Sequence, residues 1–534
     1  MKTLQYNKQT ALPTDIASLQ KLVLSLRAQI QDISQKYALL RKEVFGNKSE
    51  KQTVSGEEQL ELTDLLSQIE TVTPTAVENT AVVIKGHTRR KKHPGRNAIP
   101  ENIKRERHII DIPEEEKNCV NCSKRAECSH KELPVIDEVV RKVIERKPAE
   151  YTLHEYVRIK RACPIIKDTV KVAEPPLVTP VARGLASLSL LLFVLESKYR
   201  YHLPLYRVQR QIYHESQIWF TRSTMVGWIA EVCVLLKRVY LEMIAEVKRS
   251  RCIYSDDSRV LCVTREVGSH TSFMWVYLDG DGRNAIFDYR TTRGSSAPRE
   301  FLKKVLPGTY LMIDENASYN DAVERYKMIV LRCWMHIRRE FVESAQLGNQ
   351  KEYALKIVRY IGQLYRIERF ATQKNMVAGE RLQLRKTVST IIMQKIKDAI
   401  MNPGFTLLPQ NKISKAINYA RRNWKESQVY LTDGTLPIDN GPSERIVRDL
   451  AIGRNNWGSV GSDEGGKRMA ILYSINSTCK LNGINMQEYL SDVLMRLAMR
   501  PENVSVADLT PLEWLKTKNG GILPKVEPLY PSKN

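Results

Sequence analysis

Arg251-Cys-Ile-Tyr-Ser-Asp-Asp257, Arg259-Val-Leu-Cys-Val-Thr264 and Ser272-Phe-Met-Trp-Val-Tyr-Leu278 are the stretches whose reading decides the fold. Each is short, rich in β-branched and aromatic residues, and bounded by Gly or Asp, as in a β meander. Working outward, Asn284 to Tyr289 reads as another strand. Ala297 to Leu306 reads as a helix, with Phe301, Leu302 and Val305 at helical spacing. Thr309-Tyr-Leu-Met-Ile-Asp314 reads as a buried strand ending on a carboxylate, followed by a helical stretch around Tyr319 to Tyr326 and an apolar strand from Met328 to Leu331. A meander that gives way to alternating helix and strand predicts an α/β chain, its mixed sheet carrying packed helices.

Three acids stand in telling places: Asp256 and Asp314 at expected strand ends and Glu444 at an expected helix start. Two Mg²⁺ ions about 3.5–4 Å apart can activate an attacking oxygen and stabilise a leaving one when hard oxygen ligands from several elements converge. Any one acid alone reads as a solvated surface charge; the inference rests on the set. Successive residues of a strand face opposite ways, so Asp256 and Asp257 cannot both point into one site.

The sequence around these acids resembles the transposases of the IS66 insertion-sequence family. Arg332-Cys-Trp-Met-His-Ile-Arg-Arg-Glu-Phe341 looks like that family's Cys-Trp-Ala-His-x-Arg-Arg-x-Phe signature. Ile438-Asp-Asn-Gly-Pro-Ser-Glu-Arg-Ile-Val-Arg448 and Gly453-Arg-Asn-Asn-Trp457 look like its Asp-Asn-x-x-x-Glu-Arg and Arg-Lys-Asn-Trp blocks. Ala470-Ile-Leu-Tyr-Ser474 and Leu481-Asn-Gly-Ile484 continue the likeness, which extends from about Leu19 to Leu497. The chain departs from the family at Asp256-Asp257-Ser258, where Asp-Glu-Thr is usual, and at Asp314-Glu315-Asn316, where Asp-Gly-Tyr is usual.

The resemblance implies a multidomain α/β protein with an RNase H-like catalytic core, a mixed sheet flanked by helices and interrupted by a helical insertion. It implies a DDE transposase, with Asp256, Asp314 and Glu444 catalytic and holding two Mg²⁺ (or Mn²⁺) per active site. Water would first cut the element end, and the resulting 3′-hydroxyl would then attack target DNA. The implied partners are double-stranded DNA (element ends and target), further copies of the chain assembled on DNA, and accessory proteins from the same element. The implied location is the prokaryotic cytoplasm, on the nucleoid. Two other readings keep the same acids: a catalytically impaired DNA-binding derivative, and an RNase H-like nuclease without strand transfer.

Composition agrees with a DNA-handling protein. The 534 residues, 42% of them hydrophobic, suffice for several cores. A net charge of +23 calls for a polyanionic partner. Nucleic acid fits better than a membrane, because Leu190 to Leu195 falls far short of the roughly 20 apolar residues that span a bilayer. The start, Met1-Lys-Thr-Leu-Gln-Tyr, lacks the apolar core of a signal peptide. Nine Cys in a chain of this size do not imply a disulfide framework but allow a metal site.

Residues 1–50 are expected as a leucine-zipper-like, coiled-coil-like helix: Leu19, Leu22, Leu26, Ile30, Ile33, Tyr37 and Leu40 step by three and four until Gly46. A helix packed on its own protein is the alternative. Residues 51–84 read as a linker. Residues 85–170 combine a basic arm with a zinc-knuckle-like module. In the arm, Lys85, Arg89, Arg90, Lys91, Lys92 and Arg96 suit DNA phosphates or a minor groove. In the module, Cys119-Val-Asn-Cys122 lets two thiolates reach one Zn²⁺. The family closes this site with a second Cys-x-x-Cys, where Cys163-Pro-Ile-Ile166 stands here. Cys128 or His130 would complete the set, and a metal-free remnant is the competing reading.

Residues 171–248 are expected as a helical, helix-turn-helix-like region. Its second helix starts at Thr221 with Met225, Trp228 and Ile229 on one face, and presents Arg222 to DNA. Residues 249–342 would be the first part of the core, 343–430 a helical insertion, 431–500 the second part with the Glu444 helix, and 501–534 a C-terminal tail. His336 beside Arg338 and Arg339 suggests phosphate contact, with a structural His as the alternative. Arg445, Arg448 and Arg454 are further DNA-contact candidates. Arg448 lies four residues beyond Glu444, on the same helix face, where it would pair with the acid or hold a phosphate.

Overall fold

A computed structural model describes residues 15, 20, 150–153, 160–162, 170–172, 180–181, 185–264, 268–347 and 350–523. The zipper-like helix, the linker, the basic arm (Arg89, Arg90, Lys91, Lys92, Arg96) and the zinc candidates Cys119, Cys122, Cys128, His130 and Cys163 lie outside these residues. The chain divides into two units, Ile69–Glu150 and the remainder; the elements below belong to the second.

Two short strands, β1 (Lys160–Ala162) and β2 (Val170–Val172), pair antiparallel. Helix α1 (Leu188–Leu195) starts at Ser187 and continues as a π turn to Arg200. Helix α2 (Leu205–Ser216) ends where Gln217 takes a left-handed φ of 60°. Thr221 then caps α3 (Arg222–Lys248), its hydroxyl accepting the Thr224 N–H at 3.1 Å, as the sequence predicted. Met225, Trp228 and Ile229 are buried, and the stripe continues through Val232, Leu236, Val239, Met243 and Val247. The helix runs 27 residues, and most of its length packs on the protein body; Arg222 at its start is exposed.

Strand β3 (Cys252–Thr264) corrects the expectation of two short runs. The polar string Asp256-Asp257-Ser258-Arg259 looks like a break, yet β4 (Gly268–Asp279) pairs antiparallel with β3 continuously from Ile253↔Asp279 to Thr264↔Gly268. Asp256 therefore stands inside a 13-residue strand, not at its end. Strand β5 (Ala285–Arg290) pairs antiparallel with β4. After α4 (Ser296–Phe301), shorter than expected, β6 (Tyr310–Ile313) lies parallel to β3 and delivers Asp314 at its C-terminal end. Helix α5 (Asn320–Arg325) leads to β7 (Ile329–Arg332), parallel to β6. The sheet order is β5-β4-β3-β6-β7, with a core of Ile253, Trp275, Tyr277, Phe287, Leu311 and Ile313.

The insertion is helical, as expected. Helices α6 (Trp334–Leu347), α7 (Lys351–Gln373), α8 (Ala378–Leu384), α9 (Thr390–Met401), α10 (Lys412–Arg422) and α11 (Trp424–Ser427) follow one another. At its centre lies Arg385, 1% exposed, paired with Glu368 through two 2.7 Å bonds and donating to the carbonyls of Tyr430 (2.6 Å), Asp433 (2.5 Å) and Leu436 (2.9 Å). A buried guanidinium needs such complete satisfaction, since each unmet donor carries its full desolvation cost.

Helix α12 (Gly441–Trp457) has Pro442 in its first turn, and α13 (Asp463–Leu481) is buried from Met469 to Cys479. Alpha13 closes the edge of β5: the Ser474 hydroxyl accepts the Phe287 N–H (2.8 Å) and that of Thr478 accepts the Ala285 N–H (3.0 Å). From the other side, the Tyr240 hydroxyl donates to the Phe287 carbonyl (2.7 Å). Helix α14 (Met486–Met499) precedes a second correction: the expected tail holds α15 (Pro511–Lys518), whose Trp514 meets Tyr489 edge-on at 5.4 Å and donates to Asp492 at 2.8 Å. The Thr510-Pro511 start is a helix signal that the expected boundary passed over.

Candidate active site

Asp256, Asp314 and Glu444 come from three elements, β3, the end of β6 and the first turn of α12. Burial, joined by the negative fields of Asp314, Asp257 and Glu444, pushes the Asp256 carboxyl up to about 7. The one countering contact is the Asp257 N–H, which donates to its Oδ1 at 2.8 Å. A carboxylate held against neighbouring acids in this way is a seat for a cation.

Asp257 is spent elsewhere, as strand alternation requires. It accepts from Arg293 at 3.0 Å and from the Asn316 side chain at 2.9 Å, on the strand face where Ser255 meets Tyr319. Asn316 also donates its N–H to Asp314 at 3.1 Å, so one residue ties the end of β6 to β3. Glu315 pairs outward with Arg422 at 2.8 Å. Arg332 donates to the Asp314 carbonyl.

Glu444 is met by Arg339 at 3.4 Å and by His336 at 3.8 Å, both on α6. Its Oε1 and the Nδ1 of His336 are buried without hydrogen-bond partners. With Cys333 they form a cluster of ligand atoms within 4.8 Å of one another. Glu444 and Asp314 both lie within electrostatic reach of Asp256, and the hard oxygen donors of the three acids suit Mg²⁺ or Mn²⁺, for which the soft Cys333 sulfur is no ligand.

The structure brings His336 and Arg339 to the acids rather than leaving them to face outward. Arg338 is half-buried on the same helix. Arg445 and Arg448 are exposed on α12 beside Glu444, and it is Arg339, not Arg448, that contacts the acid in this structure. Arg454 donates to the Ser258 hydroxyl at 3.1 Å and to the Arg259 carbonyl, fastening α12 to β3. Asn440 stands in the Asp-Asn-x-x-x-Glu-Arg block quoted above, but the sequence reading assigned it no role of its own. Its amide donates to the Ser255 carbonyl (2.9 Å) and its N–H to Cys333 Sγ (3.2 Å), so it joins β3, α6 and α12 at one point. Its place directly before a Gly-Pro helix start was the available signal.

A sequence model of the family described as "Transposase IS66 family" matches residues 183–468, which include all three acids. The chain belongs to the IS66 transposase family. A second model, described as "Transposase C of IS166 homeodomain", matches residues 33–107. Full-length similarity extends to proteins of Sinorhizobium fredii (strain NBRC 101917 / NGR234). The uncharacterized protein y4jD is 26% identical over 520 residues, 94% of this chain and 97% of y4jD. The uncharacterized protein y4hP is 26% identical over 516 residues, 91% of this chain and 89% of y4hP. IS66 membership implies phosphoryl transfer on nucleic acid with a divalent metal, and the homeodomain match implies DNA binding. Among the described residues, no helix is long and apolar enough to cross a membrane.

Proposed function

We propose that this IS66-family chain is a DDE transposase that binds the ends of its element and carries out metal-dependent cleavage and strand transfer. The observation that carries the reading is the convergence of Asp256, Asp314 and Glu444: burial chiefly, and with it the fields of Asp314 and Glu444, pushes the Asp256 carboxyl up to about 7. The strand order, three antiparallel strands followed by two parallel ones, supports an RNase H-like core. Asp256, Asp314 and Glu444 would hold two Mg²⁺ (or Mn²⁺), which when bound supply a Lewis acid for the attacking and leaving oxygens of an in-line displacement. Asn316 and Arg293 keep Asp257 out of that set, and Arg339 orients Glu444. Arg445 and Arg448, exposed beside the acids, are placed to hold DNA phosphates, with Arg222 and the basic arm as further contacts.

The test is cleavage and joining of cognate-end duplex in Mg²⁺. Asp256→Ala, Asp314→Ala and Glu444→Ala should each abolish both steps and leave end binding intact. Asp257→Ala should be mild; an equal loss at 256 and 257 would remove the assignment. Cleavage without joining would favour the nuclease reading, and end binding without cleavage by the unaltered chain would favour the impaired derivative. The zipper-like helix as an assembly device, the Cys119 and Cys122 module as a zinc site, and accessory proteins of the element belong to the same proposal.

A further inference from the structure

Farther along the face of β3 that bears Asp256, three side chains from different elements meet. Cys262 of β3 and His270 of β4 are register partners. Asp463 opens α13 just after Val460, which pairs with β3 through a 2.8 Å bond from Val263 N–H and a 2.9 Å bond to the Leu261 carbonyl. Cys262 Sγ, a ring nitrogen of His270 and a carboxylate oxygen of Asp463 all lie within 4.8 Å of one another, and His270 Nε2 stands 3.3 Å from Asp463 Oδ1. Cys262 is fully buried, whereas His270 and Asp463 reach the surface. Tyr289 Oη backs the cluster, 2.8 Å from Asp463 Oδ1 and 2.7 Å from Ser272 Oγ. The other ring nitrogen of His270, Nδ1, is buried without a partner.

We propose that Cys262, His270 and Asp463 form a binding site for one thiophilic divalent cation, Zn²⁺ being the ion that fits the donors. One sulfur, one nitrogen and one oxygen make a ligand set that zinc accepts and magnesium does not. With metal–ligand bonds of about 2.0–2.3 Å, ligand atoms on a tetrahedral zinc stand roughly 3.3–3.7 Å apart, the spacing His270 and Asp463 already have. With three protein ligands, a water would complete the four-coordinate set. Binding displaces the Cys262 thiol proton to solvent, so uptake releases about one proton per ion.

A Cys-His-Asp nucleophile is the competing use of these residues. The thiol is sealed from any substrate, and burial raises it above its ordinary value, which leaves it protonated and unreactive. Asp256 and Cys262 are six residues apart on one strand face, roughly 20 Å at about 3.3 Å per residue, so the two sites share no ion. The zinc site instead clasps the start of α13 to β3 and β4, the first of which bears Asp256.

The experiment uses the full chain carrying Cys119→Ser, Cys122→Ser, Cys128→Ser and Cys163→Ser, so that the thiols of the N-terminal module contribute no signal. Titration with Co²⁺ should give a thiolate-to-cobalt charge-transfer band and the intense visible bands of a four-coordinate site; any contribution from the Cys333, His336 and Glu444 cluster is common to all variants, so this site is read from the difference between parent and variant. Zn²⁺ should bleach them and raise the melting temperature, whereas Mg²⁺ should do neither. Cys262→Ala should lose the charge-transfer band. Should that variant fail to fold, the half-exposed His270→Gln or Asp463→Asn supplies the same test, each weakening Co²⁺ affinity at least tenfold. Absence of a thiolate band in the folded chain, or a band that survives these substitutions at full strength, would overturn the site. The readout is independent of DNA cleavage, so it stands or falls apart from the transposase reading.

Discussion

Asp256 and Asp314 stand on paired strands, whereas Glu444 follows a segment, from Asp433 to Asn440, that no sheet ladder holds. In the sheet, position is fixed redundantly: β3 is bonded to β4 from Ile253 to Thr264 and to β6 from Cys252 to Tyr254, and buried Ile253, Leu311, Met312 and Trp275 fill the space around it. On the approach to α12, position depends on a few specific side-chain bonds. Arg385 gathers the Tyr430, Asp433 and Leu436 carbonyls, and Asn440 ties the helix start to β3. The sheet should therefore tolerate single changes that the approach segment does not, and the third acid should be the one most easily misplaced.

The sharpest way to break this contrast is Arg385→Ala. It leaves Glu368 buried without its partner and frees three carbonyls, and should cost about 3–5 kcal/mol in denaturant unfolding. Joint replacement, Arg385→Met with Glu368→Met, should recover much of that loss, because no lone charge remains. A neutral single mutant would show that the insertion does not hold the approach to Glu444. Next comes Asn440→Ala, which leaves the buried Ser255 carbonyl short of a donor at about 1–3 kcal/mol. Its cleavage rate should fall at least tenfold while affinity for end DNA is unchanged; a rate matching the parent would sink the positioning role. Ile253→Val in the sheet should cost only about 0.5–1.5 kcal/mol and leave cleavage alone.

The most gradual expected effect is a pH slope. The folded Asp256 carboxyl sits at about 7, above its ordinary value of 3.8. The metal-free folded chain therefore keeps a proton that the unfolded chain has lost, and this group's contribution to stability, full below the unfolded value, fades as pH rises through the folded one. Magnesium should then raise the melting temperature more at about pH 8 than at about pH 5.5, and Asp256→Asn should flatten the metal-free profile. A magnesium shift that is the same at both pH values would remove the role given to burial at Asp256.

What the sequence made legible follows the same divide. Strands β4, β5, β6 and β7 and the start of α3 were visible because apolar periodicity and a Thr cap are local signals. The continuity of β3 was not, since Asp256 to Arg259 look like a turn until β4 is seen to pair with each of them. The three acids were found through the blocks around them. Their partners were hidden: nothing local says that Arg339 reaches Glu444 or that Arg293 reaches Asp257, because those contacts arise from packing between distant elements. Arg385 looked like one more charge on a polar helix, and only its burial reveals its part in the fold.

The hydroxyls of Ser474 and Thr478 on α13 have a consequence for how the chain is made. They supply acceptors to the N–H groups along the outer edge of β5, and they are synthesised long after that strand. Until they emerge, β5 presents open hydrogen-bonding positions and the apolar face that α13 will bury, a template for pairing with a second chain. A product ended by a stop upstream of Asp463 would carry every described strand of the sheet with the N–H groups of Ala285 and Phe287 on that edge unmet, Tyr240 alone covering the Phe287 carbonyl. Such fragments should be drawn into aggregates or degraded, and would not accumulate as soluble competitors of the complete protein.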